Sequence, residues 1–408
     1  VTDSATPLRV PTTNERSSEG QPFRLDIQGL RAVAVILVIV YHYNLGNLSG
    51  GYIGVDVFFV ISGYIITTQL RRSISSARGG RLRAFYAARA RRILPLGCVV
   101  LAVTVVLSYH YLGYISAAGD AHDATWAALF SANLHFAHTQ TAYSNANGPA
   151  STVLQYWSLG VEEQFYLVWP AILFSVTFVA TRRSRNARAW VLAMLAVIFM
   201  ASLTWSIVQT SSAGTIAYYS PLTRAWELAT GAVIAYLPVR TRSTTVATSA
   251  QVIGYLGLGC VLISAFLYTA QTAFPGSAAL LPVLGAGAII IGGEYGGRFS
   301  LAALLSVKPL RFIGDISFSL YLWHWPVITI AKESSLTGAI GKPETCLMLV
   351  ISFALSVITY YAVEQPLRRS ALLRRGGAWP SFALGALLIA AVVCLCSWEL
   401  GSHPPVLG

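Results

Sequence analysis

The chain has 408 residues, 55% of them hydrophobic and only 11% charged, with a mean hydropathy of +0.61. A soluble domain carries about 25% charged residues, so an ordinary water-soluble enzyme is excluded, as are disordered and collagen-like chains. The net charge of +12 would suit nucleic acid in a soluble protein, but here the basic residues fall where membrane topology needs them. Nucleic-acid binding is not expected.

Residues 1–24 are polar, rich in Ser, Thr, Glu, Arg and Pro, and read as a disordered tail. The tail is too long and too acidic for a signal peptide, and no small-residue cleavage site follows the first apolar stretch. Apolar runs long enough to cross a bilayer then recur about eleven times. The first, near 30–48, carries Arg31 at its start and His42 further on. Eleven residues make just over three helical turns, so these two side chains share a face roughly 16.5 Å apart. The second run, near 50–70, holds Asp56 and Ser62, and the third, near 93–112, follows Arg89 and Arg92, which are three apart and so on one side. A long segment at 113–156 has no Lys or Arg and is rich in Asn, His and aromatics, including Tyr143, Asn145 and Asn147. It is long enough to be functional and aromatic enough to fold back over the bundle.

The fourth run, near 157–179, opens with Trp157 and carries Glu162 and Glu163; the fifth lies near 189–209. Arg224 and Glu227 stand three apart in the sixth, near 221–238. The seventh and eighth lie near 251–269 and 278–293, His324 sits in the ninth near 312–331, and 344–363 and 379–398 complete the series. Cys98, Cys260, Cys346, Cys394 and Cys396 all lie inside apolar runs and show no metal-ligand or disulfide spacing, so they read as packing residues and no metal is expected.

Positive charge alternates along the connections. Arg71 to Arg92, with Arg78 among them, crowd the second; Arg182, Arg183, Arg185 and Arg188 fill the fourth; Arg240 and Arg242 the sixth; Arg298, Lys308 and Arg311 the eighth; Arg368, Arg369, Arg374 and Arg375 the tenth. Of the odd connections, the ninth has Lys332 and Lys342. By the positive-inside rule the N-terminus is cytoplasmic, and an odd span count leaves 401–408 outside. The fold class expected is all-α: a polytopic integral membrane protein with a cytoplasmic tail at 1–24, a transmembrane domain at 25–400 and an external end at 401–408.

Ionisable groups inside membrane helices point to function. Counted from the external ends of the runs, His42, Asp56, Glu162, Glu163, Arg224, Glu227 and His324 converge on one layer roughly 5–11 Å deep. Arg31, Arg89 and Arg92 form a second, cationic layer at the other boundary, and arginine forks suit phosphate oxygens. Each has a plainer reading: Arg89 and Arg92 as positive-inside anchors, Arg224 and Glu227 as a structural ion pair, His324 in Trp323-His324-Trp325-Pro326 as a member of an aromatic belt.

Five motifs occur in order: Leu30-Arg31 with His42 eleven residues on; Phe58-Phe59-Val60-Ile61-Ser62-Gly63; Phe85-Tyr86 through Arg89-Ala90-Arg91-Arg92 to Leu94-Pro95; Trp157-Ser158-Leu159-Gly160-Val161-Glu162-Glu163; and Ser319-Leu320-Tyr321-Leu322-Trp323-His324-Trp325-Pro326. Together they resemble the membrane-bound acyltransferase-3 family over residues 25–370, most closely members that carry an external hydrolase-like domain. Where the family often reads Asp-Gly-Leu-Arg, this chain has Gln28-Gly29-Leu30-Arg31, with Asp26 two residues earlier; it is the segments Asp26 to Arg31 and Gly51 to Asp56 that look most like the members with the external domain. The chain stops at Gly408, where the external domain would begin, so it either lacks that domain or is a shortened form.

The resemblance implies acyl transfer, most often of acetyl, from cytoplasmic acyl-CoA to a hydroxyl of an envelope glycan or lipid-linked acceptor, with acyl-CoA as co-substrate and no permanent cofactor. An external acyl-transfer domain or protein is a further expected partner, and the bacterial cytoplasmic membrane the expected location. His42 matches the family's essential histidine, Arg31 its paired arginine, Arg89 and Arg92 its donor-linked basic pair, and Glu162 the acid of its Trp-Ser-Leu motif. The mechanism expected has His42 as general base, oriented by Glu162 or Asp56. Glu163, Trp157, Arg224, Glu227, His324 and Ser62 are supporting or acceptor-side candidates; Ser62 reads either as an acyl carrier or as a small residue for close helix packing. A proton-coupled transporter or flippase of an envelope precursor would also bury His and carboxylates, and is the alternative.

Overall fold

The computed structural model describes residues 24–75, 81–139, 150–237, 243–295, 297, 300–335, 340–375 and 377–402. The tail at 1–23, Arg78, Tyr143, Asn145, Asn147, Arg240, Arg242, Arg298 and the end at 403–408 lie outside them. In chain order the described helices are α1 Leu25–His42, α2 Gly54–Ser75, α3 Arg81–Tyr111, α4 Tyr114–Ala128, α5 Ala132–His138, α6 Tyr156–Arg182, α7 Ala187–Ser212, α8 Gly214–Tyr219, α9 Pro221–Tyr236, α10 Thr244–Leu267, α11 Leu280–Gly292, α12 Leu301–Leu305, α13 Lys308–Glu333, α14 Lys342–Thr359, α15 Gln365–Arg369, α16 Ala371–Arg375 and α17 Trp379–Ser402. One π-helical turn, Tyr360–Glu364, joins α14 to α15.

Eight of these are long and apolar enough to cross a membrane: α1, α2, α3, α6, α7, α10, α14 and α17. The protein is an all-α, multi-pass membrane protein. The expected sixth, eighth and ninth runs fall on α9, α11 and α13. Burial sorts the helices by position. The apolar stretches of α1 and α2 are 67% and 72% buried, whereas those of α7, α14 and α17 are 22% buried. The outer helices present Leu167, Val197, Leu256, Leu267, Val350 and Leu387 on their surfaces, as a lipid-facing rim requires. Of the cysteines, Cys98 and Cys396 are buried packing residues, while Cys346 and Cys394 are exposed on α14 and α17.

Two close helix pairs set the interior. α1 runs along α13, and α2 along α9. A Cβ on Gly63 would strike the Leu228 backbone, and one on Gly231 the Val60 carbonyl, so glycine is what lets α2 and α9 touch, as in small-residue interfaces between membrane helices. Helix starts follow local chemistry: Asn186 accepts from the Arg188 and Ala189 amides, and Ser220 caps α9 just before Pro221.

Two expected boundaries move. The first run begins at Leu25 and ends at His42, not at 48: Asn44 turns left-handed at φ 52° and Gly46 at φ 78°, conformations that end a helix. The described part of the 113–156 segment holds two helices, α4 and α5, with α4 packing against α3 and α17. Asp120 ties it down, accepting from Ser108 Oγ at 2.7 Å and from the Thr152 amide at 2.9 Å.

Candidate functional site

The expected single layer of ionisable groups is three separate clusters. The first is a histidine pair. His42, the last residue of α1, is 9% exposed, and His324 of α13 is fully buried. Their rings stack at 5.2 Å, with His42 Nδ1 3.0 Å from His324 Nε2. His324 Nδ1 lies 2.6 Å from the Tyr321 carbonyl. A carbonyl only accepts, so His324 Nδ1 carries the proton and its Nε2, in the neutral ring, is the acceptor. His42 Nδ1–H therefore donates to His324, which makes Nε2 the unprotonated nitrogen of the neutral His42 ring. Trp325 packs edge-on against His42 at 4.7 Å, and Lys332 Nζ lies 3.4 Å from the His42 carbonyl.

The second cluster is a buried charge triad. Arg224 Nη1 meets Asp56 Oδ1 at 2.8 Å and Glu227 Oε1 at 3.0 Å, and all three side chains are at most 1% exposed. The guanidinium also lies over the rings of Tyr218 at 4.9 Å, Phe274 at 5.2 Å and Trp157 at 5.5 Å. Trp157 is fully buried and packs against Tyr218 at 4.8 Å.

The third cluster faces a cavity of about 80 Å³ lined by Arg31, Arg89, Arg92, Ser62, Glu162 and Tyr166, with Phe58, Phe59, Ile61, Ile65, Ile93 and Tyr321 among its apolar walls. Arg89 reaches Glu162 at 3.7 Å and Glu163 at 3.5 Å and lies 3.6 Å over the Tyr166 ring. Ser62 Oγ donates to Glu162 Oε1 at 2.6 Å, and the Tyr166 hydroxyl donates to the same oxygen. Arg91, between the two cavity arginines, instead binds Ser381 Oγ at 2.7 Å and anchors α3 to α17.

In place of the expected orientation of His42 by Glu162 or Asp56, Asp56 meets Arg224, Glu162 meets Ser62 and Arg89, and His324 Nε2 meets His42 Nδ1. Depth counted from α6 misleads because Thr152, Leu154 and Gln155 ahead of it are themselves buried, so the helix starts well inside the protein. Ser62 faces the cavity while its neighbour Gly63 makes the helix contact.

Some contributors went unread in the sequence. Tyr321 lines the cavity, bonds Ser158 Oγ at 2.7 Å and lies 5.4 Å from the His324 ring, so it stands between the cavity and the histidine pair. Its place in the quoted ninth-run motif was the available signal. Glu364 accepts from Ser319 Oγ at 3.0 Å and interacts electrostatically with Arg31 and Arg92; it sits in the π-turn, a feature common at functional sites, which hydropathy does not reveal. Apart from these clusters, His122, Asp123 and His135 bring possible ligand atoms within 4.8 Å of one another on α4 and α5, a grouping of metal-ligand type that sequence spacing did not suggest.

The sequence matches the acyltransferase domain family over residues 24–361. It is 31% identical over 353 residues to peptidoglycan O-acetyltransferase OatA of Listeria monocytogenes, covering 84% of this chain and 56% of that protein. It is 30% identical over 355 residues to O-acetyltransferase OatA of Staphylococcus aureus, covering 84% and 57%. The chain therefore spans about half the length of these curated relatives. No solved structure matches it.

Proposed function

The chain belongs to the acyltransferase-domain family, and from that premise we propose that it is a bacterial membrane O-acetyltransferase, moving acetyl from cytoplasmic acetyl-CoA to a hydroxyl of a cell-envelope glycan. The observation that carries this is the cavity: three arginines and apolar walls share one lining, and Tyr321 in that lining lies 5.4 Å from the His324 ring. Guanidinium forks match phosphate oxygens, and apolar walls suit the pantetheine arm. Two relatives are by name O-acetyltransferases, one of peptidoglycan, which supports acetyl as the group and a glycan as the acceptor.

In this reading the eleven apolar helices all span, the arginine-bearing ends face the cytoplasm with the N-terminus, and the C-terminal end faces outward. Acetyl-CoA is a co-substrate, held by Arg31, Arg89 and Arg92. Glu162 and Glu163 occupy Arg89 until the donor phosphates replace them. His42 Nε2 takes the proton as the acceptor oxygen attacks the thioester carbonyl. The C–O bond forms, the C–S bond breaks, and the imidazolium returns its proton to the departing thiolate. His324 fixes the tautomer and is a positioning residue. The acceptor hydroxyl belongs either to the glycan itself or to an external acyl-transfer domain or protein that passes the group on.

Envelope material from cells carrying His42→Ala tests this directly. Loss of O-acetyl ester with undiminished export of the unmodified acceptor is the expected result. Loss of export together with the ester would instead make the protein a carrier.

A further inference from the structure

α4 and α5 carry a polar cluster that the transfer step does not use. Among the described residues, His122, Asp123 and His135 form the one set of three metal-ligating side chains whose ligand atoms lie within 4.8 Å of one another. His122 and Asp123 are consecutive on α4, so they leave the helix about 100° apart. His135 arrives from α5. The chain turns between the two helices at Phe130, φ 54°, and lays α5 back on α4. The His135 ring stacks on Trp126 at 5.4 Å, nearly parallel at 6°, and meets the His122 ring edge-on at 5.0 Å. His135 Nε2 stands 2.8 Å from Asp123 Oδ1.

The plainer account is a histidine–carboxylate hydrogen bond near the surface. Three observations go beyond it. The first is the grading of exposure. The His135 and Asp123 side chains are 10% and 17% exposed, while His122 beside them is exposed, so a sheltered pair has a third ligand on its open side, where an ion would enter. The second is that both backbones are fixed from outside the cluster. Asp120, three residues before Asp123, ties α4 to Ser108 and Thr152. Asn133, two residues before His135, accepts from Gln164 Nε2 at 2.9 Å and donates to the Tyr219 carbonyl at 3.3 Å. Ligands held by such a frame lose little freedom on binding. The third is charge: the segment 113–156 has no Lys or Arg in a chain with 28 of them, so no cation of its own segment opposes a bound metal.

The chemistry of the set selects the ion. Calcium and magnesium take oxygen ligands, whereas imidazole suits zinc and its neighbours in the transition series. Tetrahedral zinc, with bonds of about 2.0–2.1 Å to imidazole nitrogen and carboxylate oxygen, sets its ligand atoms roughly 3.3 Å apart. Asp123 and His135 already meet within that distance, and the exposed His122 closes the rest by turning about its own side-chain bonds.

We propose that His122, Asp123 and His135 bind a divalent transition metal of the zinc type, with water in the fourth position. The ion clips α4, packed on α3 and α17, to α5, packed on α6 and α8. It takes the place of the proton between His135 Nε2 and Asp123 Oδ1, and that proton moves to Nδ1 or to solvent. The test titrates zinc chloride into the full chain, purified without a polyhistidine tag, stripped with chelator and held in nanodiscs, by isothermal calorimetry. The unaltered protein should bind one equivalent that calcium and magnesium in large excess do not displace, and zinc should raise its thermal unfolding temperature. His122→Ala, Asp123→Asn and His135→Ala should each weaken binding at least tenfold and lose the thermal shift. His110→Ala, which removes an exposed imidazole on α3 outside the cluster, should change neither. Because the His122 side chain is exposed, its alanine variant keeps the fold and reads the site alone. No zinc binding by the folded unaltered protein, or binding equal in His122→Ala and His135→Ala, would overturn the site and leave the cluster a hydrogen bond only.

Discussion

Replacing Arg224 with Met keeps most of the side-chain stem and removes only the charge that two carboxylates share. Asp56 and Glu227 would then face each other in a site at most 1% exposed, where the cost of an uncompensated charge is large. Breaking a buried ion pair by removing one partner costs about 3–5 kcal/mol, equivalent to roughly two to three and a half decades in the folded-to-unfolded ratio. The loss should be recoverable. In Asp56→Asn/Arg224→Met/Glu227→Gln no charge is stranded, and replacing a whole buried ionic group by neutral side chains is often close to neutral. Denaturant titration in mixed micelles, monitored by tryptophan fluorescence, compares the three proteins. An Arg224→Met protein as stable as the unaltered one, or a triple variant no more stable than the single, would refute the assignment of the triad as a charge-balanced unit.

Other expectations concern the cavity, the base and the segment of α4. His324→Phe keeps the ring's bulk but gives His42 Nδ1–H no acceptor; acetyl transfer should fall by about 10²-fold, the lower end of what a general base contributes, with acetyl-CoA affinity unchanged, and His324→Gln should restore part of the rate. Equal turnover in all three would remove His324 from the mechanism. Ser62→Ala loses a hydrogen bond to a carboxylate, worth about 1.5–3 kcal/mol, so donor affinity and stability should drop modestly while transfer persists; complete loss of transfer, with an acetyl adduct on Ser62 in intact-mass spectra of the unaltered protein, would instead make Ser62 a carrier. Burial raises the Asp120 carboxyl to about 6, against the opposing pull of Ser108 and Thr152. A carboxyl raised on folding contributes stability that is full below its unfolded value near 3.8 and lost as pH rises through 6. Thermal unfolding of the unaltered protein should therefore weaken between pH 4 and 7, on the order of 2–3 kcal/mol in total, and Asp120→Asn should flatten that slope. An unchanged slope in the variant would assign it to other groups.

Much of this molecule is legible in the sequence because hydropathy and arginine placement are one-dimensional signals. All eleven apolar runs fall on helices, and Arg31, Arg89 and Arg92 line one cavity. Partnership is not a one-dimensional signal. Counting residues from a supposed surface put His42, Asp56 and Glu162 at one depth, but that count takes every helix to start at the membrane boundary, and α6 starts behind the buried turn at 152–155. The end of α1 at His42 depends on two left-handed residues, Asn44 and Gly46, and a backbone turn of this kind is not read from an averaged run of apolar residues. The cavity lined by Tyr41, Tyr52, Thr210, Tyr218 and Phe274 collects side chains from α1, the turn at 51–53, α7, α8 and the 269–274 connection, each unremarkable where it stands in the chain. Only their convergence carries meaning.

The central claim is that one cavity holds the donor and the histidine pair acts on it. Binding of radiolabelled acetyl-CoA to the purified protein in nanodiscs, compared with Arg89→Ala/Arg92→Ala and with His42→Ala, tests it most directly. The account predicts saturable binding, lost in the double arginine variant and retained in His42→Ala, which binds donor yet forms no ester. Equal binding in all three proteins, or none in any, would contradict it.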